Sequence, residues 1–289
     1  MRLKKSLRMV AVVTGLALAM TACAGDDGDV ESEGGESASA SEDESMDDEE
    51  MNEGAEAGDM TLVADGTLTV CSEVPYAPFE VEDADAPSGY SGFDIDLMQA
   101  IADELGLELA VVNATFDSLT SGAAFAANTC DLAATAMTIT DERDENIDFS
   151  DGYYNAAQSL AVPADSDITA LADVEGNLGV QTGTTGQAYA EENAPEGVSI
   201  VEFDSGADLF LALTAGEIVA ILQDLPVNVE RAQANGDIEV VETYETDENY
   251  GFAFPEDGAE ALQEAVNGAL QTLRDNGTYD EIFNEYFEA

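Results

Sequence analysis

Beyond residue 22 the chain holds no lysine and no histidine, and its cations are Arg143, Arg231 and Arg274. Arg143 closes the segment Met137-Thr-Ile-Thr-Asp-Glu-Arg143, directly after a strand-like apolar run. A guanidinium at a strand end can grip a carboxylate through two parallel hydrogen bonds, which no other side chain does as well. The alternative is a surface arginine paired with Asp141 or Asp144. A chain that has discarded nearly every cation and kept this one after such a motif favours the carboxylate grip. Chemistry that depends on a histidine triad is excluded, because there is no histidine to relay the proton. Carboxylate chemistry is left open.

The elements around Arg143 follow from hydrophobic periodicity. Residues 67–71 read as a strand, broken at once by Pro75 and Pro78. Asp94 can cap a helix that carries Leu97, Met98, Ile101 and Leu105 on one face and stops at Gly106. Residues 107–112 predict a strand, 119–127 a helix and 132–136 a strand. That order is the signature of a parallel sheet covered by helices. The rhythm restarts with strands at 178–180, 198–203 and 218–223 and helices between them. Pro226 lies early in the next helix, where proline is tolerated. Strands follow at 238–241 and 250–254, then a helix over 259–274 and a short one ending at Phe287. The fold class is therefore α/β, with two such units in one chain.

The first 22 residues read as a secretory signal: a basic start, an apolar run over 9–20 too short to span a bilayer, then small residues. Met20-Thr-Ala-Cys23 resembles the lipobox of bacterial lipoproteins, with Met20 where leucine is usual; Cys23 would then carry the lipid. Residues 23–61 are glycine, serine, alanine and acid with almost nothing apolar, and predict an extended, disordered tether. The tether holds 16 acids, and the body after it holds 47 against three arginines, a net of −44. Nucleic acid is excluded as a partner, since phosphates need cations to neutralise them. Such self-repulsion calls for a salt-rich medium outside the cell. No metal or other cofactor is expected: the acid runs read as solvated charge. An extracytoplasmic compartment allows Cys71 and Cys130 to form a disulfide. One near the end of a strand and the other at the start of another lie too far apart unless the register differs, so the pairing is left open.

A series of motifs runs in order through the body. Tyr76-Ala-Pro-Phe79, Gly92-Phe-Asp-Ile-Asp-Leu97, Thr138-Ile-Thr-Asp-Glu-Arg143 and Ile147-Asp-Phe-Ser-Asp-Gly-Tyr-Tyr154 are followed by Leu222-Gln-Asp224, Tyr250-Gly-Phe-Ala-Phe-Pro255 and Leu273-Arg-Asp-Asn-Gly-Thr-Tyr-Asp280. The series resembles the polar amino-acid solute-binding proteins of bacterial ABC importers, nearest to their glutamine-binding and lysine/arginine/ornithine-binding branches. The resemblance implies a two-lobed periplasmic-binding-protein-like fold of type II with two hinge crossings. One lobe would comprise residues 62–154 and 250–289, the other 155–249.

The resemblance also implies a ligand set. Arg143 grips the α-carboxylate, helped by Thr138 and by the backbone at Ala136. Thr184 and Thr185 lie in a glycine-flanked loop at a helix start, where free N–H groups suit an anion. Asp224 accepts the α-ammonium, although it could instead cap the helix of Pro226. Tyr76 and Phe116 enclose the carbon chain, although alone they read as core aromatics. Glu73 reads the ligand side chain. Gln223 stands where the glutamine-binding branch has histidine, and Gln181 where it has lysine. Arg231 and Arg274 read as structural.

The function so implied is capture of a polar or cationic amino acid and its delivery to a membrane permease, by a protein anchored through Cys23 to the outer face of the cell membrane. With Glu73 in the pocket and no second cation there, glutamate and aspartate are expected to be rejected. The choice between neutral and cationic side chains leans to the neutral. Two other classes stay open: a carboxylate-dependent, dehydratase-like enzyme on the same fold, and an amino-acid-sensing receptor domain. The receptor would need a membrane helix after the body, and none is expected.

Overall fold

The structure is a computed structural model that describes residues 60–288. The signal, Cys23 and nearly all of the tether lie outside the described residues.

The chain enters through β1 (Thr67–Ser72), which buries Leu68, Val70 and Cys71 completely, as a strand covered on both faces does. β2 (Val81–Glu82) and β3 (Tyr90–Ser91) make a small hairpin. α1 (Phe93–Glu104) buries Phe93, Leu97, Met98 and Ile101 against the sheet. Its N-cap is Gly92, not Asp94. A Cβ at Gly92 would lie 2.2 Å from the Phe79 carbonyl oxygen, so only glycine lets the two segments approach. Asp94 falls inside the first turn, wholly buried. Its carboxylate accepts from the Ala136 N–H at 2.8 Å and the Tyr153 hydroxyl at 2.6 Å.

β4 (Glu108–Asn113) is followed by α2 (Phe116–Thr120) and α3 (Ala123–Ala126). The single helix expected over 119–127 is two, because the chain breaks at Gly122 with φ of 71°. β5 (Leu132–Ala133) is shorter than expected, since Ala136 turns the chain out of the strand at φ 45°. β6 (Ile147–Phe149) precedes the long strand β7 (Tyr154–Pro163). Then come β8 (Asn177–Gln181), α4 (Thr185–Asn193), β9 (Ser199–Phe203), α5 (Gly206–Ala215), β10 (Ala220–Asp224) and α6 (Leu225–Asn235). β11 (Ile238–Tyr250) is one strand of 13 residues. β12 (Ala253–Pro255), α7 (Glu260–Asn276) and α8 (Thr278–Phe287) complete the described chain.

The strands form two five-stranded sheets, ordered β4-β1-β5-β12-β6 and β11-β7-β10-β8-β9. In the first, β1 runs parallel to β4 and β5 while β12 is antiparallel to β5 and β6. In the second, β8 is parallel to β9 and β10, and β7 is antiparallel to β10 and β11. The chain passes from one sheet to the other between β6 and β7 and returns between β11 and β12. The two passages lie side by side, with Tyr154 paired to Tyr250 and Asn155 to Asn249. This is the two-lobed α/β architecture expected from the motif series. α7 and α8 pack on α1, and Tyr153 stacks on Phe252 at 4.2 Å between ring centroids.

The pairing left open by the sequence is made: Cys71 and Cys130 form a disulfide with Cα atoms 5.7 Å apart. Cys130 does not start a strand. The chain leaves α3 through Asn128 at φ 56° and bends across β1 before Leu132 pairs with Val70, which brings Cys130 beneath Cys71.

Candidate functional site

Each lobe supplies one wall of a cleft. From the first lobe, the turn after β1 carries Glu73 and then Tyr76. Both oxygens of Glu73 accept from one amide, Gln181 Nε2 of β8, at 2.8 and 3.1 Å. Burial raises the Glu73 carboxyl above its ordinary range, and the Gln181 bond opposes that rise. The Tyr76 hydroxyl crosses the cleft to donate to Asp224 Oδ2 at 2.8 Å. Phe116 opens α2, and the Arg143 guanidinium lies over its ring at 5.0 Å from the centroid.

Arg143 is 7 % exposed and starts a 3-10 turn. It donates to the Thr138 carbonyl at 2.6 Å and across the cleft to the Gly183 carbonyl at 3.1 Å. Burial lowers its pKa, against the stabilising charges of Asp224 and Glu248. Ala136 gives its N–H to Asp94, so what it offers the cavity is its remaining backbone and methyl group. The Thr138 hydroxyl donates to Glu248 at 2.7 Å.

From the second lobe, Thr184 is the N-cap of α4: its hydroxyl accepts from the Gln187 N–H at 3.1 Å and donates to the Gln181 carbonyl. The Thr185 hydroxyl donates to Glu248 at 2.7 Å. Asp224 ends β10 and accepts from Tyr76, from Tyr250 at 2.6 Å and from Gln158 Nε2 at 2.6 Å. It makes no side-chain cap to α6, so the capping alternative is set aside. Burial raises its pKa, partly offset by the Tyr250 hydroxyl.

These residues line one cavity, joined by Thr135 and Gln181. Gln223 is the exception. Side chains alternate along a strand, so it faces away from Asp224, and its amide donates to Asn228 at 2.8 Å behind the sheet. Gln223 is therefore withdrawn from the cavity. Arg231 pairs with Asp237 and Arg274 donates to the Gly152 carbonyl, each bonded outside the cavity. The residue reading missed Gln158, Glu248 and Tyr250. Tyr250 stood in a motif, but nothing in an acidic chain marks Glu248 among its neighbours.

A closed cleft between two α/β lobes, walled by aromatics and carrying a buried cation opposite a buried acid, defines a protein that encloses a small ligand. The chain matches the model of the bacterial extracellular solute-binding proteins, family 3, over residues 68–289, and belongs to that family. It is 31% identical over 235 residues to a putative ABC transporter arginine-binding protein of Escherichia coli, covering 79% of this chain and 94% of that one. It is 34% identical over 200 residues to an ABC transporter glutamine-binding protein of Bacillus subtilis, covering 68% and 72%. Among solved structures, an ancestral arginine-binding protein bound to glutamine superposes with a TM-score of 0.71 at 33% identity, over 78% of this chain and all of that one. These relatives are named as binding proteins, not as enzymes.

Proposed function

We propose that this protein captures a free amino acid with a cationic or polar side chain and hands it to an ABC permease, while Cys23 holds it to the outer face of the membrane by a lipid. One observation carries the reading. Among the described residues the ion pair is Arg231 with Asp237, so Arg143 and Asp224 face the same cavity as a cation and an anion without salt-bridge partners. A zwitterion supplies both: its carboxylate to Arg143 and its ammonium to Asp224. The side chain then meets Glu73. The cavity's charged residues are one cation and two acids, so a guanidinium or ammonium brings it to neutrality and a third carboxylate does not. Arginine is thus the favoured ligand and glutamine the second, in keeping with the names of the relatives.

Calorimetry in molar salt with L-arginine, L-glutamine and L-glutamate tests this. Arginine is expected to bind tightest and glutamate weakest. Glutamate binding tighter than both others overturns this account of the pocket. For the anchor, Cys23→Ala is expected to release the protein to the medium, since lipid chains supply the hold. Retention on washed membranes rules the lipid out. The acidic body suits a salt-rich habitat, and its melting temperature is expected to rise with salt well beyond ordinary ionic strength.

A further inference from the structure

Glu248 stands in β11 and is 9 % exposed, at a shift of register where Asp247 takes φ 53°. It does not line the cavity. Its Oε2 accepts the Thr138 hydroxyl at 2.7 Å and the Thr185 hydroxyl at 2.7 Å. Its Oε1 accepts the Thr246 hydroxyl at 2.7 Å, and Gln158 Nε2 lies 3.2 Å from it. Thr138 belongs to the loop between β5 and β6, in the first lobe. Thr185 opens α4, in the second. One oxygen thus joins the two walls.

We propose that Glu248 is the latch of the cleft, a positioning residue that ties Thr138 to Thr185 and so sets both the closed population of the ligand-free protein and the rate of ligand release. β11 is paired with β7 of the second sheet at Glu248, and Thr138 is bridged to Tyr250 two residues on, so Glu248 stands at the crossing between the lobes. Opening separates Thr138 from Thr185 and breaks the link they make through its carboxylate. The other bridges across the cleft differ in kind. Tyr76 to Asp224, Gln181 to Glu73 and Arg143 to the Gly183 carbonyl use side chains that face the cavity, and a ligand competes for them. Glu248 lies behind the cavity wall, so its bridge persists when a ligand fills the space. A carboxylate only accepts, so each threonine spends its hydroxyl proton on Glu248 and turns lone pairs elsewhere. Bonds to a charged acceptor are about twice as strong as neutral ones. An amide at this position keeps the size but places a donor where one hydroxyl needs an acceptor.

The proposal rests on reading the cleft as one that opens and closes, not on which amino acid it holds. The test uses the full chain in molar salt, with small-angle scattering of the ligand-free protein and stopped-flow release of L-arginine. Glu248→Gln is expected to lower the closed-to-open ratio and speed release by about tenfold, which is about 1.4 kcal/mol. Thr138→Val is expected to open the ligand-free protein equally, and the double variant no further than either single one, because both remove the same bond. Thr246→Val removes a donor to the same carboxylate from the same strand and is expected to leave scattering and release as in the wild type. Wild-type scattering for Glu248→Gln, or additive opening in the double variant, overturns the latch. Should Glu248→Gln not fold, unchanged ligand-free scattering of Thr138→Val overturns it instead. If L-arginine does not bind the wild type, the proposed ligand is wrong, and the ligand-free scattering still decides the role of Glu248.

Discussion

Arg143, Phe116, Tyr76 and Glu73 stand on a lobe braced from several sides. The Cys71–Cys130 disulfide ties β1 to the approach of β5, two residues before Glu73. A cluster including Phe79, Phe93, Tyr153 and Phe252 fills the space under α1, α7 and α8. Asp224, Gln181, Thr184 and Thr185 stand on a lobe with no disulfide among the described residues. There the aliphatic cores, Leu160, Leu178 and Leu222 on one face and Leu209, Leu213 and Ile221 on the other, sandwich the sheet. The braced lobe holds the cation of the cavity and most of its aromatic surface. The other presents acceptors and hydroxyls that meet the first lobe through hydrogen bonds. On the proposed reading, recognition of the carboxylate end belongs to a preformed wall, and the second wall completes the site by closing.

The sharpest way to break this division is Arg143→Ala. Leaving the ligand carboxylate unpaired in a closed cavity costs about 3–5 kcal/mol, or roughly two to four decades of affinity. The fold is expected to stay intact by circular dichroism. Calorimetry within a few-fold of wild type removes Arg143 from the site, and Arg143→Lys is expected to restore little, because a point charge lacks the fork.

Replacing both bridge cysteines by alanine is next. Opening a covalent loop of sequence separation 59 is expected to cost about 2–5 kcal/mol of stability. The loss should appear as earlier unfolding of the first lobe, with binding kept below that transition. An unchanged denaturation midpoint means the aromatic cluster alone braces the lobe.

Gly206→Ala probes the closing wall. A Cβ there lies 2.8 Å from the Tyr76 ring, on the far side of the cleft. Overpacking of about 1–3 kcal/mol should burden the closed form alone. Affinity is expected to fall about tenfold with stability unchanged, and a wild-type isotherm shows that the walls do not approach so closely.

The smallest effect is expected from pH. Glu80 and Asp94, both fully buried in the first lobe, are neighbours with no cation beside them. Burial raises both, Asp94 to about 6 from 3.8, so the folded state holds the proton more tightly than the unfolded chain. That contribution is present at low pH and is lost as pH rises through about 6. At fixed high salt the melting temperature is expected to rise by a few degrees, roughly 2–4 °C per kcal/mol for a chain of this size, between pH 7 and pH 5. Asp94→Asn should flatten that slope. A steeper loss on acidification instead means the pair is ionised in the folded protein.

Much of this molecule was legible along the chain. Helix and strand periodicity located most elements, because burial repeats every 3.6 or 2 residues whatever the partner. The scarcity of cations singled out Arg143, and the motif order pointed to the cavity residues around it. Periodicity could not find β7, nor see that 242–249 continues β11. These segments become strands by pairing with each other, a long-range contact that leaves no local trace. It could not exclude Gln223 either, since one residue of register decides which face of β10 a side chain takes. The disulfide and Glu248 lie furthest from sequence reasoning. Two cysteines separated by 59 positions meet only when β5 pairs with β1 in the first sheet, and a carboxylate takes hydroxyls from positions 138 and 185 only when the two lobes stand together. Composition and local order thus determined the class of element and the residues able to bind a zwitterion. Which of them face one another was settled by the tertiary structure, because proximity between distant positions is a property of packing.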